Sequence, residues 1–183
     1  NISDLEVSIT QLKAAAPNVN TIVLVVSWFG TSADIATCQI APRVETGVKN
    51  TSPRAWAAGA YTRSNAAVMS TINGNPVFGS SPDSTSVVEC INYLKNQGYR
   101  VIMYPFILID DGANYPWRGR ITSLVDNTAQ ARADTEDFFR IRGYNAFIEH
   151  LADLCNLAGG VYGFCVGSEL RGITRIRDNN GNY

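Results

Sequence analysis

The residue best placed for chemistry is a glutamate that follows a short apolar run near the end of the chain. Residues 161–166 form the run, and Gly167, Ser168 and Glu169 come directly after it. Such a run predicts a strand buried on both faces. Parallel α/β folds do their chemistry just beyond the carboxyl ends of their strands. A lone glutamate there is more often a surface group or a helix cap. Whether Glu169 is a functional residue therefore depends on the rest of the sequence.

Other kinds of site are disfavoured by what the chain contains. His150 is the single histidine and lies in a helical pattern, which sets aside zinc sites and Ser-His-Asp or Cys-His catalysis. No C-x-x-C pair is present, and the cysteines are interpreted as small core residues: Cys38, Cys90, Cys155 and Cys165. The chain has neither a G-x-G-x-x-G after a strand nor a G-x-x-x-x-G-K-[ST] motif. No metal or other cofactor is therefore expected.

Length and composition favour one globular domain. The chain has 183 residues, of which 45% are hydrophobic and 17% charged. A formal net charge of −1 gives no reason to expect nucleic acid or an anionic membrane as a partner. No apolar run approaches the ~20 residues that span a bilayer.

Three helix–strand units must position the glutamate. Each unit pairs a helical pattern with an apolar run: residues 4–16 with 21–30, residues 84–97 with 99–108, and residues 144–158 with 161–166. A further short helix is predicted over residues 134–139. The alternation predicts right-handed crossovers and a parallel sheet.

Two long insertions, at about 31–83 and 109–130, interrupt what is otherwise one domain over residues 1–183. Trp56, Tyr61 and Phe78 argue against disorder in the first insertion, and its residues 55–61 and 66–72 are expected to pair as antiparallel strands. Each insertion follows a strand, so both should fold over the sheet edge that carries Glu169. We expect them to form a groove walled by aromatic residues and arginines.

The strands also resemble those of known families. Residues 20–28, 98–102 and 163–169 resemble the second, third and fourth strands of clan-A glycoside hydrolase barrels. A closer resemblance is to the TIM-barrel-like domain of gene transfer agent and phage tail-tip (host specificity) proteins. Five phrases in one order carry it: Val26-Ser27-Trp28-Phe29-Gly30, Ile40-Ala41-Pro42-Arg43-Val44-Glu45, Tyr104-Pro105-Phe106-Ile107-Leu108, Tyr115-Pro116-Trp117-Arg118-Gly119-Arg120 and Gly167-Ser168-Glu169-Leu170-Arg171-Gly172.

The resemblance implies an α/β fold, a parallel-sheet (β/α) TIM barrel of which this chain holds about strands two to four. Strand one would precede Asn1 and strands five to eight would follow Tyr183, since a closed barrel takes ~250 residues. It also implies a place in the tail of a phage-like particle assembled in the bacterial cytoplasm. The implied partners are other tail proteins and a cell-envelope polysaccharide or peptidoglycan.

In such a barrel Glu169 would be the general acid/base of a retaining glycoside hydrolase, and the nucleophile would come from a seventh strand outside this chain. The candidate substrate-binding residues are Trp28, Tyr104, Asp110, Trp117, Arg118, Arg120, Ser168 and Arg171. Glu169 is expected to be buried beside Trp117 or Tyr104. The chain departs from the pattern twice: Ser168 replaces the asparagine that contacts the sugar 2-hydroxyl, and residues 23–25 lack the arginine of strand two.

Each candidate has a plainer interpretation. Glu169 would be structural if it pairs with Arg171 or Arg120, and Asp110 would belong to an ordinary Asp-Asp-Gly turn. The tryptophans would pack in the core instead of stacking on sugars, and Arg118 and Arg120 would brace the long loop instead of binding acidic sugars. Two functions therefore stay open: a glycosidase, and a non-catalytic carbohydrate-binding or structural module.

Overall fold

The computed structural model describes residues 3–112 and 115–183. The helices are α1 (Asp4–Ala15), α2 (Ser84–Asn96), α3 (Ala129–Arg140) and α4 (Tyr144–Leu157). The strands are β1 (Thr21–Gly30), β2 (Ile40–Ala41), β3 (Arg43–Val44), β4 (Ala57–Ala58), β5 (Tyr61–Thr62), β6 (Ala67–Val68), β7 (Thr71–Ile72), β8 (Asn75–Pro76), β9 (Arg100–Ile109) and β10 (Gly163–Phe164). Within the described part of the chain, no helix is long and apolar enough to cross a membrane.

The main sheet contains three parallel strands in sequence order. Its strand order is β10-β9-β1-β2. β1 pairs with β9 along its whole length, and β10 pairs with the other side of β9, both in parallel. β2 runs antiparallel to the last two residues of β1. The predicted helix–strand alternation and parallel sheet are confirmed. The sequential order is that of neighbouring barrel strands, and it differs from the 2-1-3 order of flavodoxin-like open sheets.

The helices begin where the sequence supplies caps. Ser3 and Glu6 form the predicted capping box at the start of α1. The side chains of Asp83 and Thr128 are the N-caps of α2 and α3, and each accepts a hydrogen bond from a backbone N–H. The helix predicted over residues 134–139 is present as α3 and begins earlier, because Thr128 caps it at Ala129.

The core lies between the sheet and the helices. Along β9 buried and half-buried residues alternate, so that Val101, Met103 and Ile107 pack in the helix-facing core. The other face of the sheet is more open, and Val23 and Val25 on β1 are about half exposed. The sheet therefore packs fully on its helix-bearing face.

The prediction of a strand buried on both faces over residues 161–166 is wrong. Only Gly163 and Phe164 are in the strand, and both are half-buried. Tyr162 and Val166 are exposed. β10 is the edge strand of the sheet, with β9 on one side only, so its flanking residues meet no second strand.

The first insertion packs as a series of two-residue strands. β4 pairs with β5, β7 pairs with β8 across a tight turn, and β6 pairs in parallel with β3. The predicted pairing of residues 55–61 with 66–72 is therefore wrong, since β4 and β7 pair with the strands that follow them and β6 pairs with β3. Trp56 is buried and donates its indole N–H to the Ser81 carbonyl (2.8 Å), so the insertion has a small core of its own.

His150 joins α4 to this insertion. Its Nε2 lies 3.1 Å from Ser84 Oγ, its ring centroid is 5.5 Å from that of Trp28, and Gly59 packs over the ring. Burial lowers the pKa of His150, an effect that the nearby Asp153 partly offsets. The imidazole is therefore held in its neutral form more strongly than in the unfolded chain.

We predict that protonation of His150 destabilises the fold in mild acid. The unfolded chain takes up the proton near the ordinary pKa of about 6.5, whereas the folded chain does so only at lower pH. The free energy of unfolding should fall as the pH drops below about 6.5 and level off once both states are protonated. Denaturant unfolding of wild type and His150→Gln at about pH 7.5 and about pH 5 measures this. An equal loss of stability in both proteins would contradict it.

Candidate functional site

The candidate site lies beyond the carboxyl ends of β9 and β10. After β9 the chain turns back, and the Ile109 N–H donates to the Pro116 carbonyl (2.8 Å). A 3-10 turn over Arg118–Arg120 follows. This return brings the second insertion against the segment that follows β10, which carries Glu169. The predicted meeting of the second insertion with Glu169 is confirmed.

Glu169 is held by two neighbours through a single oxygen. The indole N–H of Trp117 donates to its Oε2 at 3.0 Å, and Nη2 of Arg118 lies 3.3 Å from the same atom. The expected contact with Trp117 is present. The expected burial is wrong, because the side chain is 57% exposed. Its backbone φ is +52°, a left-handed conformation that is uncommon for residues other than glycine.

Arg118 is the buried anchor of the site. It is 3% exposed. Its Nε donates to the Ser168 carbonyl and its Nη2 to Ser168 Oγ, both at 2.7 Å. Its guanidinium carbon lies 3.8 Å from the centroid of the Phe106 ring, which supports it as a cation–π partner. Arg118, and neither of the predicted partners Arg171 and Arg120, therefore pairs with Glu169.

Close backbone contact joins the two loops of the site. The Gly172 N–H donates to the Gly119 carbonyl at 3.0 Å. A Cβ on Gly172 would overlap the Ile121 carbonyl oxygen, and a Cβ on Gly119 would overlap the Trp117 ring. Glycine at both positions is what allows Trp117 and Arg118 to reach Glu169.

We predict that Gly172→Ala separates these loops and destabilises the protein. The backbone of Gly172 is in the ordinary right-handed region, so the effect is steric, and overpacking of this kind costs about 1–3 kcal/mol. Denaturant unfolding measures the loss. Gly79→Ala is the matched control, because a Cβ there meets nothing within 4 Å. Equal stability of the two variants would show that the loops do not need this contact.

A cavity opens beside Glu169, at the start of α4. Its volume is about 520 Å³. Its wall is largely apolar and includes Phe139, Tyr144, Ile148 and Leu170. The Tyr144 hydroxyl donates to the Val166 carbonyl at 2.7 Å. Burial raises the pKa of Tyr144, so this donor keeps its proton and ties the segment after β10 to the helix.

The second insertion adds an exposed aromatic residue, Tyr115, that was not among the predicted substrate-binding residues. Tyr115 is 58% exposed, and its ring centroid lies 6.1 Å from that of Trp117. Arg120 donates to the Tyr115 carbonyl and pairs with Asp111 at 2.7 Å, so it braces the loop. The signal for Tyr115 was its place in one phrase with Trp117.

Asp110 lies at the same edge of the sheet, but its side chain is turned into the protein. It is 2% exposed, forms an ion pair with Arg43, and accepts hydrogen bonds from the Ser70 hydroxyl and backbone N–H. Arg43 and Ser70 both belong to the first insertion, so the predicted packing of that insertion over this edge is confirmed. The carboxylate of Asp110 is therefore occupied by the protein and not presented to a substrate.

The remaining candidates are scattered. Trp28 is buried on the helix-facing side of the sheet, where its ring stacks on Phe147 at 5.0 Å, so its predicted role as a sugar platform is wrong. Tyr104 is half-buried on the opposite face, 5.9 Å from the Phe106 ring. Arg171 is exposed. The structure thus brings together Trp117, Arg118, Ser168 and Glu169.

Metal ligands are not grouped in the described residues, where no cluster of three or more His, Cys, Asp and Glu side chains could hold a metal ion. The arrangement around Glu169 instead offers one carboxylate, a fixed cation and an exposed aromatic surface. That combination suits proton transfer to or from a bound polar ligand.

The fold is shared with a known protein structure. The fold is that of part of a TIM barrel: a β-1,4-mannanase of glycoside hydrolase family 113 superposes with a TM-score of 0.53 at 16% sequence identity. The match covers 94% of this chain and 42% of the mannanase chain, so the chain spans less than half of that structure. The sheet is accordingly part of a barrel.

One family model matches the end of the chain. Residues 142–183 match the model of the GTA TIM-barrel-like domain, and this stretch includes α4, β10 and Glu169. The resemblance inferred from the sequence phrases is thereby confirmed over this segment. No curated protein matches the chain.

Proposed function

We propose that this chain is part of a glycoside-hydrolase-like TIM-barrel domain of a phage or gene transfer agent tail-tip protein, with Glu169 as its general acid/base. The observation that carries the proposal is the placement of Glu169 beyond the end of a parallel barrel strand, with one oxygen anchored by Trp117 and Arg118. The glycosidase-like fold supports it.

In the proposed reaction Glu169 donates a proton to the glycosidic oxygen as the bond to the sugar breaks. A second carboxylate attacks the sugar carbon and forms a covalent intermediate, which water then releases with Glu169 acting as base. A retaining enzyme places the two carboxyl groups ~5–5.5 Å apart. The partner carboxylate would come from a barrel strand outside residues 1–183.

The proposed substrate is a cell-envelope polysaccharide or peptidoglycan. Tyr115, exposed beside Trp117, offers a flat apolar surface on which a pyranose ring can stack. The proposed location is the tail of a phage-like particle, where the domain would contact other tail proteins. Nucleic acid and membranes are not among the proposed partners.

A second function is a non-catalytic carbohydrate-binding or structural module of the tail tip. Ser168 favours it, because the hydroxyl at the position of the usual sugar-binding asparagine is engaged by Arg118. Val23 and Val25 favour it as well, since they occupy the strand that carries an arginine in the hydrolases it resembles. Catalysis tolerates loss of positioning contacts less well than binding does.

The test measures hydrolysis and binding side by side in the protein that carries this chain. Peptidoglycan, capsular polysaccharide and mannan are each incubated with the protein, and released reducing ends are quantified by mass spectrometry. Release from an envelope glycan supports the hydrolase. Binding without release supports the carbohydrate-binding module. If the protein neither releases products from these glycans nor binds them, the hydrolase and the carbohydrate-binding module are both contradicted.

A further inference from the structure

The two oxygens of Glu169 have different surroundings. Oε2 accepts the Trp117 indole N–H and lies near the Arg118 guanidinium. Within residues 3–112 and 115–183, Oε1 makes no hydrogen bond with the protein. More than half of the side chain is exposed, so one end of the carboxylate is anchored and the other is accessible.

Arg118 is built to hold that anchored oxygen in place. Its own position is set by the two hydrogen bonds to Ser168 and by the Phe106 ring beneath it. Because it is almost fully buried, its charge is little screened by solvent. A guanidinium fixed on two sides by its fork of donors is a rigid partner, unlike a flexible lysine.

The backbone of Glu169 needs such support. A φ of +52° is disfavoured for a residue with a Cβ, and residues held in such conformations cluster at functional sites. The neighbouring Ser168 receives both hydrogen bonds from Arg118. The same arginine therefore holds the strained turn and the carboxylate at its end.

We propose that Arg118 and Trp117 are positioning residues that clamp Oε2 of Glu169, so that Oε1 is the oxygen that exchanges the proton with the substrate. This rests on the proposed function. In the acid step the proton on Oε1 moves to the glycosidic oxygen, which keeps the electron pair of the breaking bond to the sugar. The O–H electron pair stays on the carboxylate, whose new negative charge is met at Oε2 by Arg118 and the indole N–H.

The clamp predicts a loss of turnover that is separate from substrate binding. Arg118 holds the carboxylate and is itself almost fully buried, so its removal should lower kcat and leave KM little changed. A merely structural arginine would change the amount of folded protein without changing kcat per folded molecule.

The test compares Arg118→Met, Arg118→Lys and Trp117→Phe with wild type. At equal concentrations of folded protein we expect kcat to fall by about 10- to 100-fold in Arg118→Met, with KM little changed. Arg118→Lys should restore part of it and remains available if the methionine variant folds poorly. Arg132→Met is the control, because Arg132 is an exposed arginine on α3. Unchanged kcat in both Arg118 variants would overturn the proposal.

A second readout does not depend on turnover. The indole N–H resonance of Trp117 should move in Glu169→Gln, because a neutral amide replaces the carboxylate that accepts its hydrogen bond. It should also move in the Arg118 variants, because Oε2 is then no longer held against the indole. An indole resonance that is unchanged in both Arg118 variants overturns the clamp even if the wild-type protein hydrolyses no glycan. Turnover by wild type with no effect in the Arg118 variants removes the clamp and leaves the hydrolase standing.

Discussion

Glu169→Gln is expected to lower kcat for hydrolysis of the envelope glycan by about 10²- to 10⁴-fold, the usual contribution of a general acid or base. The amide has nearly the shape of the carboxyl group, and its oxygen can still accept the Trp117 indole N–H. It cannot supply the proton that the leaving oxygen needs. Because the side chain is 57% exposed, we expect little change in the free energy of unfolding. Initial rates and equilibrium unfolding of both proteins measure the two quantities.

The control is Glu136→Gln, a substitution of the same chemistry on α3. Glu136 is 52% exposed and pairs with Arg132 within its own helix, so its loss should leave kcat unchanged. If wild type shows no turnover beyond that of Glu169→Gln on peptidoglycan and capsular substrates, the enzymatic proposal fails. Equal glycan binding by the two proteins would then leave the binding module as the better account.

The order of helices and strands could be predicted because it depends on local patterns. The capping box at Ser3 and the apolar spacing of α4 are visible in the sequence alone. So is the alternation of units, which implies the parallel sheet. The position of Glu169 at the sheet edge followed from the same patterns, since it comes after the last apolar run.

The face on which a strand residue lies could not be predicted from its own strand. In β1 every residue from Ile22 to Phe29 except Ser27 is apolar, so the run does not say which face the helices cover. Trp28 lies on the helix side, whereas Val23 and Val25 lie on the open side. An alternating strand would have shown its two faces, but a continuous apolar run does not.

The ion pairs between residues far apart in the chain could not be predicted from local sequence patterns either. Arg118 pairs with a residue 51 positions later in the chain, across two glycine contacts that nothing in the neighbouring sequence signals. Asp110 pairs with Arg43 on an insertion whose fold has little periodicity. Arg118 and Asp110 were both candidate residues in the sequence. Their roles depend on the distant residues with which they pair, and the sequence around them does not identify those residues.

Asp110→Ala is expected to destabilise the fold by about 3–5 kcal/mol, the usual effect of removing one partner of a buried ion pair. Arg43 is 12% exposed, so the substitution leaves its positive charge largely buried and unpaired. The Ser70 hydroxyl and N–H lose their acceptor as well. The first insertion should then loosen from the end of β9. Denaturant unfolding measures the change in the free energy of unfolding.

The double substitution Arg43→Met with Asp110→Leu tests whether Asp110→Ala is destabilising because it leaves the buried charge of Arg43 unpaired. Because it removes both charges and keeps apolar volume, it should be markedly more stable than Asp110→Ala. A third variant, Glu136→Ala, breaks an exposed ion pair on α3 and should change stability little. If Asp110 instead served a substrate hydroxyl, Asp110→Ala would fold as stably as wild type and lose only glycan affinity. That outcome would contradict the structural role assigned to this carboxylate.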